Sequence, residues 1–230
     1  MAPDADPTSG QRRQLPLAAV LALALSTSAI GATLLLLLAR AWRETSGGLT
    51  IDHWAASLAA QGWNGPFANL MQTVTHLGDP ATLTVIGAAF AVFLLWRRQP
   101  AFALGWLSAL AGNAWLNPTL KAVFSRLRPT SDSGLSAAIG YSFPSGHSSG
   151  AMVTYGMFAY LVWRMSARRR GVAICGLAIA VILAVGASRV YLGVHFLSDV
   201  LAGYASGAAW LALVVAAVEV WCATRKSPSH

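Results

Sequence analysis

Six apolar runs dominate this chain, at roughly 16–39, 80–96, 101–119, 148–163, 171–187 and 199–222. A helix rises about 1.5 Å per residue, so crossing the hydrocarbon layer of a bilayer takes about 20 apolar residues. The runs show no alternation of period two, and in lipid each segment must satisfy its own backbone. Six transmembrane helices are therefore expected, an all-α integral membrane protein. Composition agrees, because 56% of the 230 residues are hydrophobic and 10% are charged, against about 25% charged in soluble domains. So few charges cannot coat a water-soluble surface of this size. One membrane domain is expected over 15–224, between a disordered cytoplasmic tail at 1–14 and a short cytoplasmic tail at 225–230.

Arg12-Arg13 ahead of an apolar run also fits a signal peptide, with Ser28-Ala29-Ile30-Gly31-Ala32 offering small residues for cleavage. The run continues through Leu34–Leu38, too long for an ordinary signal core, and an uncleaved first helix is favoured. Counting Lys and Arg then sets the orientation. With the N-terminus inside, the inner segments hold Arg12, Arg13, Arg97, Arg98, Arg164, Arg168, Arg169, Arg170, Arg225 and Lys226, ten of the sixteen basic residues. The outer segments hold Arg40, Arg43, Lys121, Arg126, Arg128 and Arg189. The bias predicts N-in and C-in. A net charge of +8 does not point to nucleic acid, because the basic residues lie in short clusters between apolar runs. Cys175 and Cys222 lack metal-ligand or disulfide spacing and read as apolar filler.

The longest connection, 41–79, reads as an outer loop. Ile51–Leu58 suits a short interfacial helix anchored by Trp54 and Trp63, and an ordered loop without a role of its own fits equally. Gly203 and Gly207 form a Gly-x-x-x-Gly in the last span, read as a close helix-packing face.

Three clusters fall at the expected outer ends of the spans. In Lys121-Ala-Val-Phe-Ser-Arg-Leu-Arg128-Pro129, a continuous helix would bring Lys121 and Arg128 onto one face two turns apart. Two permanent cations there call for an anion between them, and phosphate suits a lysine point charge and an arginine fork. The bland alternative is a pair of snorkelling interfacial side chains. In Tyr141-Ser-Phe-Pro144-Ser145-Gly146-His147, turn chemistry leads into a helix whose free N–H groups and positive dipole end would face an anion. Gly146 allows close backbone approach to a ligand, and His147 stands where an imidazole can donate a proton. In Ser188-Arg189-x5-His195-x3-Asp199, the i, i+4 spacing puts His195 and Asp199 on one helical face. A carboxylate on one ring nitrogen fixes the tautomer and leaves the other free to attack. The alternative there is an N-cap Asp beside an incidental His.

Together the clusters resemble the type 2 phosphatidic acid phosphatase superfamily, whose pattern is Lys-x6-Arg-Pro, then Pro-Ser-Gly-His, then Ser-Arg-x5-His-x3-Asp. Lys121…Arg128-Pro129, Pro144-Ser145-Gly146-His147 and Ser188-Arg189…His195…Asp199 match it without departure. The resemblance implies a six-helix membrane fold with an active site on the outer side that uses no metal and no cofactor. It implies that His195 attacks phosphorus to give a phosphohistidine and that Asp199 orients it. His147 protonates the leaving oxygen and then activates water. Lys121, Arg128, Arg189, the Ser145 hydroxyl and the Gly146 N–H neutralise the phosphoryl oxygens. Charge stabilisation of this kind is what phosphoryl transfer requires.

The chain has eight acidic residues; within the three motifs only Asp199 appears, with Asp132 in the intervening loop, whereas a two-metal phosphatase needs clustered carboxylates. No Gly-x4-Gly-Lys-Ser/Thr loop is present. The expected partners are a membrane lipid phosphate and the bilayer, with no nucleic acid and no obligate protein partner. Undecaprenyl diphosphate comes first among substrates, because an outward site in a small six-span protein suits carrier-lipid recycling. Phosphatidylglycerophosphate and phosphatidic acid are the alternatives. Two further classes are a vanadate-dependent haloperoxidase, whose relatives are soluble, and a non-catalytic lipid-binding or transport protein, which would need the cations but not two histidines. The expected location is a bacterial inner or plasma membrane, with the site facing the periplasm or exterior.

Overall fold

The computed structural model describes residues 16–45, 48–60, 65–129 and 140–225. The two expected tails (apart from Arg225), Trp63 and Asp132 lie outside the described residues. Among the described residues the regular structure is helical: α1 (Leu17–Glu44), α2 (Thr50–Ala60), α3 (Pro66–Thr75), a 3-10 turn (His76–Gly78), α4 (Pro80–Trp96), α5 (Pro100–Phe124), α6 (Gly146–Met165), α7 (Arg168–Tyr191) and α8 (Leu197–Thr224). Proline stands at the start of α3, α4 and α5, where its missing N–H would have had no helical partner and its φ is already set.

Each of the six apolar runs lies on one of the six long helices. Three of these, α1, α7 from Arg169 and α8, are long and apolar enough to cross a membrane, and α3 with its turn and α4 form a fourth candidate bent by 49°. The others fall short for identifiable reasons. α4 has 17 residues. α5 and α6 carry buried polar side chains, Asn113 and Asn117 on one and Ser148, Ser149 and Thr154 on the other.

The core sits between α4, α5, α6 and α8, where Leu94, Trp106, Val153, Met157 and Leu161 are fully enclosed among Ala91, Ala109, Val214 and Val218. The Trp106 indole N–H donates to the Gly87 carbonyl at 2.8 Å, as a buried indole must. A second cluster joins Leu35 and Ala39 of α1 to Phe124, Phe143 and Ala202 beneath the expected site. Opposite these cores, α1 and α7 expose Leu23, Leu25, Ile30, Leu36, Leu177 and Ile179, apolar bands that suit hydrocarbon rather than water.

Small residues let the long helices close up. A Cβ at Gly203 would lie 2.6 Å from the Ser145 carbonyl oxygen, one at Gly207 3.0 Å from that of Ser149, and one at Gly31 2.5 Å from that of Ala205. The Gly-x-x-x-Gly thus packs α8 onto the first turn of α6, as expected from sequence, and α1 closes on the far side of α8. At the opposite end, Glu219 of α8 accepts from Tyr160 and Arg164 of α6 at 2.8 and 3.2 Å.

The 41–79 connection is more than a loop. α2 covers the interfacial helix expected from sequence and exposes Trp54, while Asp52 is buried beneath it. α3 and the 3-10 turn pack on α7.

Candidate active site

The C-terminal end of α5, the start of α6, the end of α7 and the start of α8 meet at one end of the bundle, and each carries part of the three motifs. Backbone hydrogen bonds lace them together. The Ser145 N–H donates to the Asp199 carbonyl at 2.9 Å and the Ser142 N–H to the Arg126 carbonyl at 2.8 Å.

His195 lies in the turn before α8, not on a helical face with Asp199, which corrects the expectation from i, i+4 spacing. The turn closes because Gly193 adopts φ 67°, a left-handed conformation that costs glycine little. The Val194 and His195 N–H groups return to the Arg189 carbonyl at 3.2 and 3.3 Å. Asp199 sits at the third position of α8, where one oxygen accepts from the Phe196 N–H at 2.9 Å. That same oxygen lies 3.4 Å from His195 Nδ1 and accepts from the Ser142 hydroxyl. The carboxylate therefore caps the helix from its third position and addresses the imidazole at once; the N-cap is Phe196, not Asp199 as the alternative reading had it. His195 Nε2 faces the site, 3.2 Å from an Arg128 guanidinium nitrogen. Burial pushes the His195 pKa down to about 4, against the upward pull of Asp199 and with the push of Arg128 and Lys121. The ring is neutral at neutral pH, as a nucleophile must be.

Lys121 and Arg128 do not share a helix face. α5 ends at Phe124, and Ser125 turns left-handed at φ 52°. The turn sends Arg128 across the site, where it donates to the Val194 carbonyl at 2.9 Å and to that of Gly140 at 3.1 Å. Lys121 donates to the carbonyls of Tyr141 and Ser142 at 2.6 and 3.3 Å. Arg189 donates to the Thr75 hydroxyl at 2.6 Å, and its Nε is buried without a partner. The three cations are close enough to repel one another, yet among the described residues none is ion-paired with a carboxylate.

Arg126 is the contrast. It is buried against the Phe196 ring at 4.1 Å and bridges Asp199 at 2.7 Å and Asp52 at 2.9 Å. Asp52 also accepts from the Ser198 N–H and hydroxyl at 2.8 and 2.7 Å. A buried cation matched by two carboxylates is structural, and removing one partner of such a group is strongly destabilising. Three cations without an ion-paired carboxylate among the described residues, beside a neutral imidazole, describe a site for an anion.

Ser145 is the N-cap of α6. Its hydroxyl accepts from the Ser148 hydroxyl at 3.1 Å and is enclosed, so the structure turns it towards the helix. Gly146 opens α6 against Asn117 and Lys121, where a Cβ would lie 3.1 Å from the Asn117 amide oxygen. At the first two helical positions, the Gly146 and His147 N–H groups have no intrahelical carbonyl to bond. His147 lies within electrostatic reach of Arg189 and Arg128, and its Nε2 is 2.6 Å from an Asp79 oxygen.

Asp52, Thr75, Asp79 and Arg126 were not singled out as site residues by sequence reasoning. All but Arg126 come from the 41–79 connection, and the one available signal was their charge or polarity within otherwise apolar surroundings. Among the described residues no three His, Cys, Asp or Glu side chains gather around a point where a metal ion could be held.

A family model described as the PAP2 superfamily matches residues 102–221, a range that contains all three motifs. Phosphatidylglycerophosphatase B of Bacillus subtilis (strain 168) is 35% identical over 157 residues, which cover 66% of this chain and 74% of that protein. A crystal structure described as the first transmembrane PAP2 type phosphatidylglycerolphosphate phosphatase from Bacillus subtilis superposes with a TM-score of 0.69 at 28% identity. The match covers 87% of this chain and 99% of that one.

Proposed function

The chain belongs to the PAP2 superfamily as an integral membrane lipid phosphate phosphatase, and on that premise we propose that it hydrolyses the terminal monoester of phosphatidylglycerophosphate through a phosphohistidine on His195. The observation that carries the reaction is the set of three cations, Lys121 and Arg128 beside His195 and Arg189 beside His147, none of them ion-paired with a carboxylate among the described residues. Undecaprenyl diphosphate stood first on sequence grounds. The named activities of the two relatives favour phosphatidylglycerophosphate instead.

In the first step His195 Nε2 attacks phosphorus, the N–P bond forms and the P–O bond to the glycerol oxygen breaks. His147 gives its proton to that oxygen. Asp199 holds the proton on Nδ1 and stabilises the positive ring. In the second step water attacks the phosphohistidine, His147 takes its proton, and phosphate leaves His195. Throughout, Lys121, Arg128, Arg189 and the first N–H groups of α6 hold the phosphoryl oxygens, supplying the preorganised charge on which such transfer depends. The Ser145 hydroxyl joins them if it rotates out of its capping bond.

Six spans with both termini inside are part of the same proposal, supported by the distribution of Lys and Arg. The motif ends of α5, α6, α7 and α8 then face outward, and the Arg97-Arg98, Arg168–Arg170 and Arg225 segments face the cytoplasm.

The test is phosphate release by the purified protein in detergent with excess EDTA, comparing phosphatidylglycerophosphate, phosphatidic acid and undecaprenyl diphosphate. Phosphatidylglycerophosphate should turn over fastest, and His195→Ala should abolish release from all three. Faster release from undecaprenyl diphosphate would replace the substrate but keep the chemistry. Turnover surviving in His195→Ala would remove the mechanism.

A further inference from the structure

We propose that Asp79 is a positioning residue for His147, holding the ring so that its other nitrogen delivers the proton to the leaving oxygen. This rests on the acid role of His147 given above. Asp79 occupies the N-cap of α4, where an aspartate ordinarily accepts from the N–H groups of the following turn. Here its side chain makes no capping hydrogen bond. Both oxygens turn instead to imidazoles: one lies 2.6 Å from His147 Nε2, the other 2.6 Å from Nδ1 of the exposed His76. A carboxylate held at both oxygens has its plane fixed, and it fixes the imidazole it addresses.

The surrounding backbone is built to bring Asp79 there. Gly78 presses against the ring, since a Cβ at that position would lie 3.2 Å from the His147 Cβ and Cδ2 and 2.5 Å from Val185. Tyr155, two turns along α6 from His147, donates to the Leu77 carbonyl at 2.8 Å, and Arg189 bonds Thr75 at 2.6 Å. The stretch from Thr75 to Asp79 is thus pinned at three points to the helices that carry the site. Against the tendency of burial, the hydrogen bonds and charges of His76 and His147 hold the Asp79 carboxyl below its ordinary pKa.

With Nε2–H engaged by Asp79, Nδ1 is left to exchange a proton with substrate. The carboxylate and a bound phosphate dianion both stabilise the imidazolium, which is the form that can donate. An alkoxide leaves poorly without that proton, whereas a nitroaryl oxide leaves well without it. A residue that serves the proton donor should therefore matter for one substrate and much less for the other. A residue that merely holds the fold should matter equally for both.

The experiment compares kcat/KM for two phosphate monoesters of like apolar tail, one alkyl and one nitroaryl, in wild type, Asp79→Asn and His147→Ala. General acid catalysis contributes about 10²–10⁴-fold. Asp79→Asn should therefore lose roughly tenfold or more in excess on the alkyl ester, in the same direction as His147→Ala. Equal loss on both esters, or no loss on either, while His147→Ala discriminates between them, would overturn the role of Asp79. A His147→Ala variant that does not discriminate would instead remove the acid role of His147. Should thermal unfolding show Asp79→Asn to be misfolded, Asp79→Glu carries the same test, because its displaced carboxylate predicts the same selective loss.

Discussion

His195 and its neighbours divide into residues whose chemistry sequence spacing reveals and residues that only folding assembles. Desolvation keeps the His195 ring neutral, with its pKa near 4. Protonation of Nε2 blocks attack, so the acid limb of kcat/KM belonging to this group should lie near 4, well below the 6.5 of a solvated imidazole. A pH profile of the free enzyme checks this, since kcat/KM reports its essential groups, and a limb near 6.5 would mean a solvated nucleophile. The motif residues were legible because an unusual residue type and a short spacing carry the signal together. Asp79 and Asp52 were not, because the site residues they meet lie far off in sequence, His147 at 68 residues from Asp79, and Arg126 and Ser198 at 74 and 146 from Asp52. An Asp before Pro at the head of an apolar run reads as a helix cap, and a lone Asp on a short interfacial helix reads as solvated.

Among the elements, the six long helices were legible from length and apolarity, with boundaries within a few residues except at the ends of α1 and α5. The ends that make the site were less so. A seven-residue spacing reads as two helical turns, yet Ser125 breaks α5 between Lys121 and Arg128. Both cations reach the site, one from the helix and one from an extended strip beyond it. No periodic pattern distinguishes those routes, since a left-handed serine leaves no mark in hydropathy. The Gly-x-x-x-Gly of α8 was legible as a packing face, but its contact with the Ser145 carbonyl also makes it a support for the start of α6, where the phosphate site is proposed. Gly203→Val should push the first turn of α6 away, at about 1–3 kcal/mol for overpacking. Measured in detergent, the helical circular dichroism should persist while kcat/KM falls about tenfold or more, because the α6 N–H groups are misplaced.

For the whole molecule, basic turns gather at one end of the bundle and the anion site at the other. The orientation proposed above can be read directly in intact cells, on a background with Cys175 and Cys222 replaced. Leu127→Cys, at an exposed position beside the site, should react with a membrane-impermeant maleimide. Gln99→Cys, in the turn between α4 and α5, should react only after permeabilisation, and the reverse pattern would invert the topology. α2, α3 and the 3-10 turn, with Asp79 just beyond it, lie at the site end of the bundle and supply Asp52 to Arg126, Thr75 to Arg189 and Asp79 to His147. A layer that also holds the working parts cannot swing open without disarming them. Lifting that layer would break the Asp52–Arg126, Thr75–Arg189 and Asp79–His147 contacts together, so on the proposed function substrate reaches His195 with the layer in place.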